Sequence, residues 1–191
     1  MLKNEQGRTS ESKEKSDARK DQGAEVNFWW VNQGKSKGKT FDIEKQKGIV
    51  SVPQREHEMR TYPQHWKNIS ELKKGDIIFH YTKKAVRAIS KVVGDSVVKI
   101  KREKDVFEHE NGLAVKVEYF DIDEINYQDI RPRVTAFKKT LPQKYSPFNC
   151  KDKVNQGYLY EFSFEGAKEI REIFREIYDK PFPSEIERYF K

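Results

Sequence analysis

The chain has 191 residues, which suits one ordinary domain with tails and is long enough to bury a single core. Hydrophobic residues make up 35%, charged residues 36% and aromatic residues 13%, so a few large rings are expected to supply much of the buried area. No run reaches the roughly 20 apolar residues of a membrane-spanning helix and no apolar secretory leader is present, so a cytoplasmic protein is expected; the single Cys150 excludes an internal disulfide and a thiolate zinc cluster, and no metal or cofactor is expected.

In chain order, Met1 to Val26 carries six basic and six acidic residues with almost nothing apolar, and is expected to be a disordered polar tail, because it cannot offset its ordering entropy. "FWWVN", Phe28 to Asn32, has the aromatic and β-branched makeup of a strand, with Phe28 and Trp30 on one face and Trp29 on the other; Gln33-Gly34 marks the turn after it. A short helix is expected around Phe41 to Lys47, stopped by Gly48, then a brief strand in "GIVSVP". "QREHEMRTYPQ" has no period and reads as a loop. From about His65 a helix is expected with Trp66, Ile69 and Leu72 on one side, ended by Gly75.

"DIIFHYTKKAVRAISKVV" reads as a hairpin turning at Lys83-Lys84, and further strands are expected at Ser96 to Lys101 and Ala114 to Phe120. The basic segment that follows has no clear pattern. "GYLYEF" is a last strand, and "EGAKEIREIFREIY" a closing helix whose Ile170, Ile173, Phe174 and Ile177 fall at helical spacing, broken by Asp179 to Pro183. About six short strands with few helices predict a small, strongly curved α+β sheet or barrel.

The net charge of +7 is unevenly spread. Lys83 to Lys104 holds eight basic and two acidic residues, Arg131 to Lys153 seven and one, while Asp105 to Ile130 holds eight acids against Lys116 alone. Such polarity suits a polyanionic partner, although charge runs also serve merely as solvated faces. Phe137, Tyr145 and Phe148 lie among the cations of the second basic stretch, a mixture that holds phosphates and stacks bases.

Catalytic signatures are missing. His57, His65, His80 and His109 have no partner at metal-ligand spacing, no phosphate loop, dinucleotide fingerprint or nucleophile elbow occurs, and Cys150 has cationic neighbours but no base assigned to it. Asp121 and Asp123 read as a solvated turn.

Three stretches, in this order, carry a family resemblance: "FWWVNQGK" (28–35), "HWKNISELKKGDIIFHY" with "AVRAISKV" (65–92), and "KYSPFNCKDKVNQGYLYEF" (144–162). Together they resemble the EVE-like branch of the PUA-like superfamily, related to YTH domains and found as specificity modules of McrB-type restriction proteins. The resemblance implies a compact β-barrel flanked by helices over about residues 27–180, with 181–191 an extension or linker. It also implies an aromatic pocket for a modified base turned out of its stack. By resemblance, Trp30 forms a wall, Asn32 and Gln33 present amides, His80 and Tyr81 contribute the floor, and Phe148, Asn149, Gln156 and Tyr158 close the other side. Ser51 stands where many relatives have a tryptophan, and Phe107, Trp66 or Trp29 are the residues able to compensate; otherwise the pocket takes a different base or none. Lys144, Lys151 and Lys153 are placed to meet phosphates, as are Lys83, Lys84, Arg87, Arg131 and Arg133 in the basic stretches.

The expected function is a non-enzymatic reader of methylated or otherwise modified nucleic acid, DNA before RNA, serving a restriction or defence system beside a fused or associated GTPase or nuclease, with no membrane partner. The plain alternatives are a core tryptophan at Trp30, a packing residue at Trp66, and amides that satisfy loop backbone at Asn149 and Gln156. Two other classes stay open: a protein-interaction scaffold whose pocket is filled by its own side chains, and a hydrolase whose site the sequence does not reveal.

Overall fold

The computed structural model describes residues 26–33, 39–54, 63–102 and 111–191. The expected polar tail up to Glu25, most of the "QREHEMRTYPQ" loop, His57, His109 and Phe107 lie outside the described residues.

The strands are β1 (Phe28–Asn32), β2 (Ile49–Pro53), β3 (Ile77–Thr82), β4 (Ala85–Val92), β5 (Val98–Lys101), β6 (Asn111–Asn126) and β7 (Leu159–Phe162). The helices are α1 (Lys39–Lys47), α2 (Gln64–Lys67), α3 (Tyr127–Phe137), α4 (Phe164–Tyr178) and α5 (Ser184–Glu187). One sheet runs β2-β6-β4-β3-β1-β7, with β5 also paired to β6. Its pairs are antiparallel except β1 beside β3. The long β6 pairs through its first half with β2 and β5 and through its second with β4, so it bends the sheet from one wall to the other. The result is a small, curled α+β barrel flanked by helices.

Period-two alternation splits the interior into two cores. Outside the barrel wall, Phe28, Trp30, Phe79, Tyr81 and Ile89 pack against α3, α4 and α5 through Ile130, Phe137, Ile170, Phe174 and Ile186. Inside it, Trp29, Val31, Val50, Val52, Ile78, Val115 and Leu159 pack together. The two adjacent tryptophans thus serve opposite faces of one strand. Trp29 also ties the start of β1 to the turn before β3, because its Nε1–H donates to buried Asp76 at 2.8 Å.

The hairpin turns at Lys83-Lys84 as expected, and both residues take left-handed backbone, φ 48° and 65°. Two-residue hairpin loops favour that conformation, although lysine adopts it at a cost that asparagine and glycine avoid. The helix expected from His65 is a single turn, α2, running into a 3-10 turn at Asn68–Glu71.

Two expectations change. The basic segment after Arg131 is not irregular at its start: it is α3, with Ile130, Val134 and Phe137 buried at helical spacing despite Pro132 inside it. Asp121 and Asp123 do not form a solvated turn but stand on β6, where they pair with Lys45 and Lys180. Of the extension or linker expected over 181–191, the structure shows a packed extension, since Phe182 and Ile186 enter the helix-side core. The closing helix is as expected: Ser163 caps α4 by accepting from Gly166 N–H at 3.0 Å, and left-handed Asp179 ends it.

Candidate nucleic-acid interface

The ends of β1, β3 and the approach to β7 meet at one end of the barrel. Asn32 N–H donates to the Tyr158 carbonyl at 2.7 Å, and Gln33 N–H to the Tyr81 carbonyl at 2.8 Å. The Asn32 side chain donates to the Asn155 carbonyl at 2.6 Å. Tyr127 N–H, at the start of α3, donates to the Lys84 carbonyl, and its hydroxyl donates to the Asp152 carbonyl. These bonds gather the Lys83-Lys84 turn, the two amides and the 149–158 loop at the same end of the barrel.

Beneath it lies a polar network that the sequence reading did not identify at its centre. Glu44, from α1, is fully buried, with 0% of its surface exposed. Its Oε1 accepts from Ser51 N–H at 3.0 Å and the Ser51 hydroxyl at 2.5 Å, and its Oε2 accepts from Gln33 Nε2 and the Tyr158 hydroxyl, both at 2.6 Å. Burial pushes the Glu44 carboxyl above its ordinary value, against the pull of those hydrogen bonds and of nearby Arg102. Arg102 reaches this region over Gly112, where a Cβ would lie 2.5 Å from the arginine side chain.

Gln33 links Glu44 to His80 within the interior. Its Oε1 lies 3.0 Å from His80 Nδ1. An amide oxygen only accepts, so Nδ1 carries the proton and Nε2 accepts from the Ser90 hydroxyl at 2.7 Å. Burial, with a smaller contribution from Lys45, holds the His80 pKa down at about 3, so the ring is neutral at physiological pH. Tyr119 packs on it, ring centres 4.5 Å apart. The only sequence signal for Glu44 was an acid on a short helix three positions past Phe41, which is ordinary for an exposed face.

The sequence-predicted pocket residues divide between the two faces of the sheet. Gln33, Ser51, His80 and Tyr158 belong to the Glu44 network. Trp30, Tyr81 and Phe148 do not join them: Trp30 is 0% exposed, with ring centres 5.3 Å from both Tyr81 and Phe148 and 5.4 Å from Phe162. This corrects the expectation that Trp30 walls an open pocket and that Tyr81 shares a floor with His80. The reason is parity, since Trp30 and Gln33 are three residues apart and therefore point to opposite faces. The Asn149 side-chain oxygen accepts from the N–H groups of Lys151 and Lys153 and so holds a turn. Trp66 is half-buried and packs on the inner core, while Gln156 is exposed.

The predicted phosphate contacts also divide. Arg87 is paired with Glu124 at 2.6 Å, and Arg133 bonds Glu169 and Glu176 on α4. Both are thus engaged by acids within the fold. Lys83, Lys84, Arg131, Lys144, Lys151 and Lys153 are exposed and enter no ion pair among the described residues. Among those residues no group of three or more acidic, histidine or cysteine side chains is arranged to hold a metal, and no helix is long and apolar enough to cross a membrane.

This barrel, with α3, α4 and α5 against its outer face and α1 and α2 on the inner-core side, is a YTH-like fold. The Pho92 YTH domain solved in complex with m6A superposes with a TM-score of 0.50 at 18% identity, covering 78% of this chain and 86% of that one. The YTH domain of Zygosaccharomyces rouxii MRB1 in complex with N6-methyladenosine RNA gives 0.48 at 13% identity, over 80% of this chain and 87% of that one. Human THYN1 in complex with DNA containing 5-methylcytosine gives 0.49 at 12% identity, over 82% of this chain and all of that one (100%). No family model matches the chain, and no curated protein matches it in sequence.

Proposed function

We propose that this chain is a nucleic-acid-binding module that reads a modified base at the polar end of its barrel. The observation that carries the reading is the convergence there of Asn32, Gln33 and Tyr158 with Lys83, Lys84, Lys151 and Lys153, cations that no acid neutralises among the described residues. The likeness in fold to a domain solved with m6A supports it.

Glu44 supplies the chemistry. A carboxylate only accepts hydrogen bonds, so it selects a base edge that donates, and a singly methylated amino group retains one N–H to give. Tyr158 is the half-exposed member of the network and is the donor that such a group replaces. Phosphate contacts supply most of the affinity, and the network discriminates. A fixed-salt titration tests this, comparing plain duplex with N6-methyladenine, 5-methylcytosine and 5-hydroxymethylcytosine duplexes and with m6A RNA. Tighter binding of one modified form supports the reading. Its DNA or RNA arm names the partner, DNA being favoured by the motif resemblance.

The module is read as a binder and not an enzyme, so DNA incubated with it and a divalent metal should remain intact. Service in a restriction or defence system, beside a GTPase or nuclease, rests on the motif resemblance alone; removing the gene and plating phage with modified DNA tests that role. A second reading, a protein-interaction scaffold with a closed chamber, is favoured by one observation: both Glu44 oxygens already accept two hydrogen bonds each. Equal affinity for plain and modified nucleic acid would select it.

A further inference from the structure

Outside the barrel, the end of α3 and the loop over residues 141–155 enclose an open groove of about 790 Å³ that the Glu44 network does not touch. Leu141 and Phe148 form its apolar wall, Lys138 and Lys139 one bank, and Tyr145 and Cys150 the other residues of consequence. Residues 138–153 hold five lysines and one acid, Asp152. That acid is already engaged by Lys138 at 2.8 Å and Thr135 at 3.0 Å. Lys139, Lys144, Lys151 and Lys153 keep their charge unpaired among the described residues.

Tyr145 has no packing role. Its surface is 59% exposed, it makes no ring contact among the described residues, and its backbone is left-handed at φ 59°, a conformation unfavourable for a bulky side chain. The loop therefore holds an unpacked ring beside unpaired lysines. An exposed ring stacks on a base only when that base is unpaired, and ring-plus-lysine grooves are how proteins follow a single strand without reading its sequence. The groove also leads to the barrel end, since Asn155 lines it and its carbonyl accepts from Asn32.

We propose that this groove is a track for single-stranded nucleic acid, with one base stacked on Tyr145 and the neighbouring phosphates against Lys139, Lys144 and Lys151. The inference rests on the nucleic-acid-binding reading above, and it names the strand that flanks the recognised base.

Cys150, the only cysteine and an exposed one, is a built-in reporter. In the full chain, a short unmodified oligothymidine should slow maleimide alkylation of Cys150, and polyglutamate at equal charge should not. Tyr145→Asn removes the ring with a residue that tolerates the left-handed backbone, and should weaken oligothymidine binding about fivefold or more; Tyr145→Phe keeps the ring and should stay within about twofold of the parent. Lys139→Ala and Lys144→Ala should each lower the slope of log affinity against log salt by about 0.7. Unchanged alkylation at saturating oligothymidine, equal protection by polyglutamate, or parental binding by Tyr145→Asn overturns the track and leaves the barrel reading to the modified-base titration. Protection of Cys150 without any preference for a modified base keeps the track and removes the barrel reading. No binding of any nucleic acid removes both.

Discussion

Trp29 and Trp30 are neighbours in sequence, and their rings lie on opposite sides of the same strand, Trp29 in the inner core and Trp30 among Tyr81, Phe148 and Phe162 on the helix side. The indole N–H of Trp29 is bonded to Asp76, whereas that of Trp30 is buried without a hydrogen-bond partner among the described residues. The strand thus welds two cores, and its rings are structural.

Trp30→Ala should therefore cost about 3–5 kcal/mol of folding stability, the usual range for removing a buried large ring. Trp30→Phe should cost far less, because the loss of buried area is partly offset by removing an unsatisfied N–H, a group that costs about 1–3 kcal/mol. Urea unfolding checks both. Trp30→Phe should also keep the parent's ratio of affinities for modified and plain duplex; a collapse of that ratio in a folded Trp30→Phe protein would return the indole to the binding site.

Glu44 anchors four donors, so Glu44→Ala leaves them unpaired in a dry interior and should destabilise by about 3 kcal/mol or more. Glu44→Gln places an amide NH₂ where two donors already point, and should cost about 1–3 kcal/mol while weakening preference for a donor base edge. The pH dependence is specific. A carboxyl whose folded pKa is raised favours folding in its protonated form, so its contribution falls as pH rises from about 4.5 through the raised folded value. Urea midpoints across that window should drop with pH in the parent relative to Glu44→Gln.

His80 acts with the opposite sign. It is neutral in the fold down to about pH 3, against an ordinary 6.5, so its contribution is full above pH 6.5 and is lost as pH falls toward 3. A drop from 6.5 to about 3, at about 1.36 kcal/mol for each pH unit, limits that loss to the order of 5 kcal/mol. Above pH 4.5, as far as the raised Glu44 value extends, the Glu44 and His80 effects oppose each other. His80→Asn should therefore flatten the acid loss of stability, leaving the Glu44 trend exposed. An acid limb as steep in His80→Asn as in the parent would place the titrating group elsewhere.

Much of this architecture was legible because strands and amphipathic helices write their period into the chain: β1, the β3–β4 hairpin and α4 lie where alternation and helical spacing put them. α3 was missed because Pro132 masked the spacing of Ile130, Val134 and Phe137, which tertiary packing made decisive. The site was legible in parts. Gln33, Ser51, His80 and Tyr158 share one hydrogen-bond network around Glu44, whereas the parity of the strand sends Trp30 to the other face from Gln33. Glu44 carries no local mark, since only the fold buries it. The partners of Arg87 and Arg133 lie on other elements, and sequence proximity does not reveal which cations are already spent on acids.

That distinction among cations is itself testable. Arg133 is held by Glu169 and Glu176, so Arg133→Ala should lower stability by less than about 1 kcal/mol, as a largely exposed pair does, and leave nucleic-acid affinity within about twofold. Lys83→Ala and Lys84→Ala carry no such tie, and each should weaken plain and modified duplex alike while reducing the salt slope by about 0.9. Replacing left-handed Lys83 by Asn should add stability as it removes the charge, since asparagine adopts φ 48° more readily. Higher stability with weaker binding in Lys83→Asn would mark the hairpin turn as a place where the fold accepts strain to present charge. Stronger effects on binding from Arg133 than from either turn lysine would instead move the interface to the α3–α4 face.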